Sequence, residues 1–294
     1  ITESDIQKLM KNRYGEVAWD YIFIDEAQDC SSLEKDIIFK IFGKENVIIA
    51  EGPHQMVRDG SLHSNKCDWT YGLSKEEYNK IPGKVGLRQK TNLVHFVNSF
   101  AKHSQLPWSV NIKDDLPGGK VYILTGDYFA DLDLHKKLMA ECIENGNQAY
   151  EMMFLAPGGK NFQIDKKMDS AGLKFYNGLK SKTRNIYPEE PEEHRLFYHD
   201  SARGLEAWTL VSNHFDEFIE TKKRFWSKDK EQGQLALKTE KEKKNEWAYN
   251  WGTIILTRAI DTLVITLKNK NSETAKILKK VYKENNSFVT WIDD

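Results

Sequence analysis

Residues 21–29 read Tyr21-Ile22-Phe23-Ile24-Asp25-Glu26-Ala27-Gln28-Asp29. The apolar and aromatic run from Trp19 to Ile24 predicts a short buried strand that ends abruptly in two carboxylates. Beyond it, Ser32 is placed to cap a helix, with Lys35 where an acidic partner is usual. Leu33, Ile37, Ile38, Ile41 and Phe42 then follow helical spacing up to Gly43. Val47 to Ala50 predicts a second buried strand. Strand, helix, strand is the unit of a parallel sheet, and it sets Asp25 and Glu26 at a strand's carboxyl end, where open α/β sheets bind ligands. A strand-end Asp can hold Mg²⁺, usually through water, and an adjacent Glu can orient and deprotonate an attacking water. For an Asp-Glu pair alone, an acidic turn capping the next helix is the plainer alternative.

The same alternation runs through the rest of the chain. Gly52 to Gly83 reads as loop and linker. Thr91 to His103 reads as a helix with Leu93, Val94, Val97 and Phe100 on one face. Val121–Leu124 and Met152–Ala156 read as strands, with an amphipathic helix from Leu132 to Ile143 between them. A helix over Glu273–Tyr282 and a strand over Ser287–Trp291 close the chain. The class is α/β, with parallel sheets flanked by helices. Lys222 to Lys244 is dense in charge with little apolar periodicity, which predicts a solvated insertion or an exposed helix.

Composition narrows the function classes. The 294 residues suit one large domain or two medium ones. Hydrophobic residues are 39% and charged residues 30%, ordinary values for a soluble globular chain. The net charge of −1 gives no global basic field, so any nucleic-acid surface must be a local patch. Cys30, Cys67 and Cys142 form no Cys-x-x-Cys pair, and His54, His63, His95 and His103 have no metal-binding spacing. A reducing, cytoplasmic setting with no membrane span is expected. Ile1 opens the chain without a signal peptide, and the expectation is that the sequence begins inside a longer protein.

Five segments in order carry a family resemblance. Tyr21 to Asp29 resembles motif II, the Walker B motif, of UvrD/Rep-type superfamily 1 DNA helicases. Ile48 to Arg58 (IIAEGPHQMVR) resembles motif III, and Leu87-Arg88-Gln89 with Leu93 and Phe96 resembles motif IV. Ser201 to Val211 (SARGLEAWTLV) resembles motif V, and Ile254 to Thr266 (IILTRAIDTLVIT) resembles motif VI. The resemblance implies RecA-like P-loop NTPase folds: residues 1–83 as the C-terminal remnant of a first motor domain, and 84–294 as a complete second one with a charged insertion near 222–244. It implies ATP and Mg²⁺ as cofactors, with hydrolysis at the cleft between the two domains. By position, Asp25 would hold Mg²⁺, Glu26 would be the general base, and Gln55 would sense the γ-phosphate. Arg88 would bind the γ-phosphate, and Arg258 would act as an arginine finger. Gly204 would allow close backbone approach, and Glu206 would contact the nucleotide sugar. Ser201, Arg203 and Arg58 would contact nucleic acid, which is single-stranded or duplex DNA with RNA left open.

The sequence departs from the family in several places. Gly52 replaces the acidic residue before Pro53, and Arg58 replaces an aromatic, which leaves base stacking there unsupported. Leu87 replaces the Tyr before Arg88, so an adenine-stacking role is not implied. Asp200 stands where a His is common. No Gly-x-x-x-x-Gly-Lys-[Ser/Thr] string occurs, and Gly158-Gly159-Lys160 is only an imitation followed by Asn161. An N-terminal Walker A segment or a partner chain would have to supply the phosphate loop, and the chain alone is expected to be inactive. Two alternatives stand beside the motor: a degenerate nucleic-acid or partner-binding module, and an ATPase switch in a regulatory or phage-defence complex. Trp69, Tyr71 and Trp108 could stack bases, although such aromatics are more often core.

Overall fold

The structure is a computed structural model that describes residues 20–27, 30–51, 67–79, 88–112, 116–159, 162–183, 190–226 and 239–293. The described residues fall into two compact units, one holding those up to residue 79 and the other those from residue 88 onward.

In the first unit, β1 (Ile22–Ile24) pairs in parallel with β2 (Val47–Ile49), with Phe23 opposite Ile48. Helix α1 (Ser32–Phe42) connects them, so the expected β-α-β unit is present. Its cap differs from the sequence reading. Ser31, not Ser32, is the N-cap: its Oγ accepts from Glu34 N at 3.1 Å, and Glu34 Oε2 accepts from Ser31 N at 2.6 Å. This reciprocal pair satisfies two orphan donors, which Ser32 with Lys35 could not do. Lys35 is instead buried, and its Nζ donates to Asp68 O at 3.1 Å. Trp69 is core rather than a stacking platform, with its ring edge-on to Phe39 and its Nε1 donating to Ala27 O at 2.8 Å. The strands are not buried on both faces as expected. Phe23 is 75% and Tyr21 60% exposed, while Ile24, Val47 and Ile49 pack against Ala27, Cys67 and Trp69. Successive side chains of a strand point to opposite faces, and among the described residues of this unit only one face meets a covering layer.

The second unit is a seven-stranded, all-parallel sheet. Its strands are β3 (Lys120–Thr125), β4 (Met152–Ala156), β5 (Phe175–Asn177), β6 (His194–Tyr198), β7 (Ala207–Ser212), β8 (Ala259–Leu267) and β9 (Val289–Asp293). Their spatial order is β5-β6-β4-β7-β8-β3-β9. Helices are α2 (Thr91–His103), α3 (Asp133–Glu144), α4 (Ile164–Ser170), α5 (Phe215–Phe225), α6 (Glu240–Leu256) and α7 (Glu273–Glu284). Connections through α3 and α4 move one way along the sheet, and those through α5, α6 and α7 the other. Right-handed crossovers therefore place the two sets on opposite faces. Residues Met152, Phe154 and Ala156 join Leu138, Ile164 and Met168 in one core. Their alternates Met153 and Leu155 are equally buried, as a sheet covered on both faces requires.

The charged stretch is partly as the sequence predicts: Glu240, Lys241 and Glu242 are exposed on a helix, residues 227–238 lie outside the described residues, and Lys223 departs from the expectation. Its described residues are the end of α5 and the start of α6, where Thr239 and Glu242 form a capping box. Lys223 is not solvated: its buried Nζ meets Glu220 and Glu273, each at 2.9 Å, and Tyr249 Oη at 3.3 Å. Helices α5 and α6 pack closely at Gly252, where an added Cβ would lie 2.8 Å from Ile219 Cδ1.

Several histidines are enclosed in this core. His135 and His194 lie with ring centroids 5.1 Å apart. Burial, reinforced by the neighbouring His135, holds His194 down to about 4, and burial holds His199 down to about 3. Both stay neutral in the folded chain but bind protons near pH 6.5 once unfolded. Their contribution is therefore complete above that pH and is lost as pH falls toward the folded values. The urea midpoint is expected to drop between pH 6.5 and 5, a window above ordinary carboxylate titration, and His194→Asn is expected to flatten that slope. A midpoint independent of pH across the window would contradict this.

Candidate functional site

Arg88, Glu206 and Thr257-Arg258, far apart in the chain, meet at the amino ends of β7 and β8. Arg88 precedes α2, Glu206 precedes β7, and Thr257-Arg258 joins α6 to β8. Arg88 Nη1 donates to Glu206 Oε2 at 2.8 Å, and Nη2 donates to Thr257 O at 2.9 Å. The adjacent Gln89 is buried, and its Nε2 donates to Leu256 O at 3.1 Å and to Ala259 O at 3.0 Å. Lys90 N donates to Ile260 O at 2.9 Å, and Lys90 Nζ pairs with Asp261 and lies 4.8 Å from the centre of the Trp208 ring.

A bulge makes this docking possible. β7 and β8 pair Ala207 with Ala259 but Thr209 with Thr262, so β8 carries an extra residue at its start. Such a bulge leaves ladder groups unpaired and re-aims nearby side chains. Here the carbonyls of Ala259 and Ile260 are bonded by Gln89 and Lys90 instead.

Arg258 is buried against its own turn. Its Nε donates to Ile254 O at 3.0 Å, Nη2 to Thr257 Oγ1 at 3.3 Å, and Nη1 reaches Leu205 O at 3.5 Å, the outer limit of a hydrogen bond. Glu206 is fixed from behind. The buried Arg195 of β6 donates from Nη2 to Glu206 O at 2.8 Å and from Nε to Tyr150 O at 2.7 Å, with its guanidinium 4.3 Å from the Tyr150 ring centre.

The loop before β7 carries the other expected residues. Gly204 has φ +76°, and an added Cβ would meet nothing within 4 Å. The glycine is thus required by a left-handed backbone. Ser201 and Arg203 are half-buried on the same loop. Asp200 pairs with Lys222, whose Nζ lies 3.7 Å from the Trp251 ring centre and also faces Phe218 and Trp247. His199 stacks on Phe218 at 4.6 Å, and its Nε2 meets Ser212 Oγ at 2.9 Å.

Asp25 and Glu26 belong to the other unit. They follow β1 at its carboxyl end, as the sequence predicts, with Asp25 Oδ1 accepting from Glu26 N at 2.8 Å and Glu26 in the left-handed region at φ +53°. Gln55 and Arg58 lie outside the described residues. Among the described residues, no group of three or more His, Cys, Asp or Glu could hold a metal. Mg²⁺ asks less, taking one or two carboxylates together with water and phosphate, and the exposed Asp25 fits that need. Tyr71 is 78% exposed, and Trp108 Nε1 donates to Asn250 Oδ1 at 3.1 Å.

The sequence reading gave no role to Gln89, Lys90, Asp261, Trp208 or Arg195. One signal for Arg195 was available, an arginine beside the apolar run Leu196-Phe197-Tyr198. No family model matches the chain, and no curated protein matches it. Among the described residues, no helix is long and apolar enough to cross a membrane.

The two contacts of Glu206 should differ in weight. The Arg88–Glu206 side chains are 38% and 52% exposed, so Glu206→Gln is expected to cost less than about 1 kcal/mol. Arg195→Met strips donors from two carbonyls in the interior and is expected to cost about 1–3 kcal/mol. Urea unfolding of the two variants checks the order, and equal losses would contradict it.

Proposed function

We propose that this chain is part of an ATP-dependent superfamily 1 helicase or translocase acting on DNA, its second unit being a RecA-like motor domain. The observation that carries the reading is the meeting of Arg88, Glu206 and Thr257-Arg258. The chemistry of the group suits a nucleotide: guanidinium forks for phosphoryl oxygens and a carboxylate that accepts from a sugar hydroxyl. Asp25 would hold Mg²⁺, Glu26 would take the proton of the attacking water, and Gln55 would sense the γ-phosphate. Bound Mg²⁺ supplies neutralisation of phosphate charge. Ser201, Arg203 and Arg58 are the proposed nucleic-acid contacts.

Arg88 Nη1 is bonded to Glu206 in this structure, so a phosphate would compete with that carboxylate for the guanidinium. An exposed pair of this kind is worth roughly 0.2–1 kcal/mol, a small barrier to exchange. A second reading, a nucleic-acid or partner-binding module with a degenerate motor, is favoured by one observation: Arg258 is buried and its side chain is already engaged, Nε by Ile254 O and Nη1 by Leu205 O.

ATP hydrolysis with and without single-stranded DNA, by this chain and by the complete product of its gene, separates the two. The motor reading expects DNA-stimulated hydrolysis by the complete product, reduced about 100-fold or more by Glu26→Gln. A complete product that binds single-stranded DNA but hydrolyses no ATP would establish the binding module instead.

A further inference from the structure

The carbonyls from Leu256 to Ile260 cross the junction between α6 and β8, and each has a donor from elsewhere in the chain. Gln89 Nε2 serves Leu256 O and Ala259 O, Arg88 Nη2 serves Thr257 O, Ala207 N serves Arg258 O at 3.0 Å, and Lys90 N serves Ile260 O. Gln89 holds both carbonyls that bracket Thr257-Arg258. Both partners are acceptors, so the terminal group between them must be the NH₂, which has two protons to give. Gln89 is only 8% exposed, so water is poorly placed to replace it. The residue before it is Arg88, whose Nη2 donates to the carbonyl of Thr257 in the same turn.

We propose that Gln89 is a positioning residue that locks Arg88 and Arg258 into one rigid unit. The proposal rests on the reading of these arginines as phosphate ligands. With Gln89 in place, a displacement of Arg88 by an incoming phosphate is transmitted to the turn that carries Arg258, and the two guanidinium groups move together. Asparagine at position 89 is one methylene too short to reach both carbonyls. Methionine has the length but no proton to give.

The test measures ATP affinity for Arg88→Lys, Arg258→Lys and the double variant, first with Gln89 and then in Gln89→Asn and Gln89→Met backgrounds, using the complete product of the gene. Amide exchange of Lys90 and Ala207 is followed in parallel, with the α7 amides as the reference for global stability. With Gln89 present, the double variant's loss is expected to fall short of the product of the single losses by about threefold or more. In either background variant the losses should multiply, and Lys90 and Ala207 should exchange faster while α7 does not. Losses that multiply equally with and without Gln89 would overturn the proposal, as would unchanged exchange in both variants. If neither arginine variant weakens ATP binding, the phosphate reading fails. Exchange at Lys90 and Ala207 then decides whether Gln89 holds the turn at all.

Discussion

A helix that hands its chain directly to a buried strand leaves carbonyls behind. The last turn of α6 cannot bond its own C-terminal carbonyls, and the bulge at the start of β8 removes ladder partners from the next ones. Unpaired, each would cost about 1–3 kcal/mol in the interior. The segment Arg88-Gln89-Lys90 resolves this by docking against the junction with its main chain and side chains. The placement of the candidate site follows from that need. Arg88 is brought beside Arg258 because the backbone there requires donors, and Glu206 meets Arg88 because β7 begins alongside.

The same economy of buried polar groups recurs across the second unit. Arg195 lies inside the sheet's edge because two carbonyls and the Tyr150 ring receive it. Lys223 is held by two carboxylates and a phenol. Asp216 accepts from Lys268 N and Asn269 N, both at 2.9 Å, and so ties the start of α5 to the end of β8. Charged groups remain inside because each is paired and bonded. The described residues of the first unit form a smaller core. One face of its two-stranded sheet has a core around Trp69, and the other presents Phe23 and Ile48 to solvent.

The elements were legible wherever a local pattern existed. Thr91–His103 and Met152–Ala156 have the boundaries their apolar spacing predicts, because one buried face or one buried run defines each. The cap of α1 was read one residue late because serines stand at both 31 and 32, and only the pairing with Glu34 selects the first. Within the charged stretch, only the lysines at the end of α5 were illegible, for a related reason. Composition reports that Lys222 and Lys223 are lysines, but not that Trp251 and Glu273 wait for them from other helices.

By itself, the sequence determined the α/β alternation, the parallel β-α-β unit, and the carboxyl-end position of Asp25 and Glu26. Each of these depends on residues within a few positions of one another. Only the tertiary structure decided that Arg88 pairs with Glu206, that Gln89 brackets the Arg258 turn, and that Arg195 stands behind Glu206. Those contacts join residues from well-separated stretches of chain, and a strand order in which β7 and β8 lie side by side has to exist before they can form.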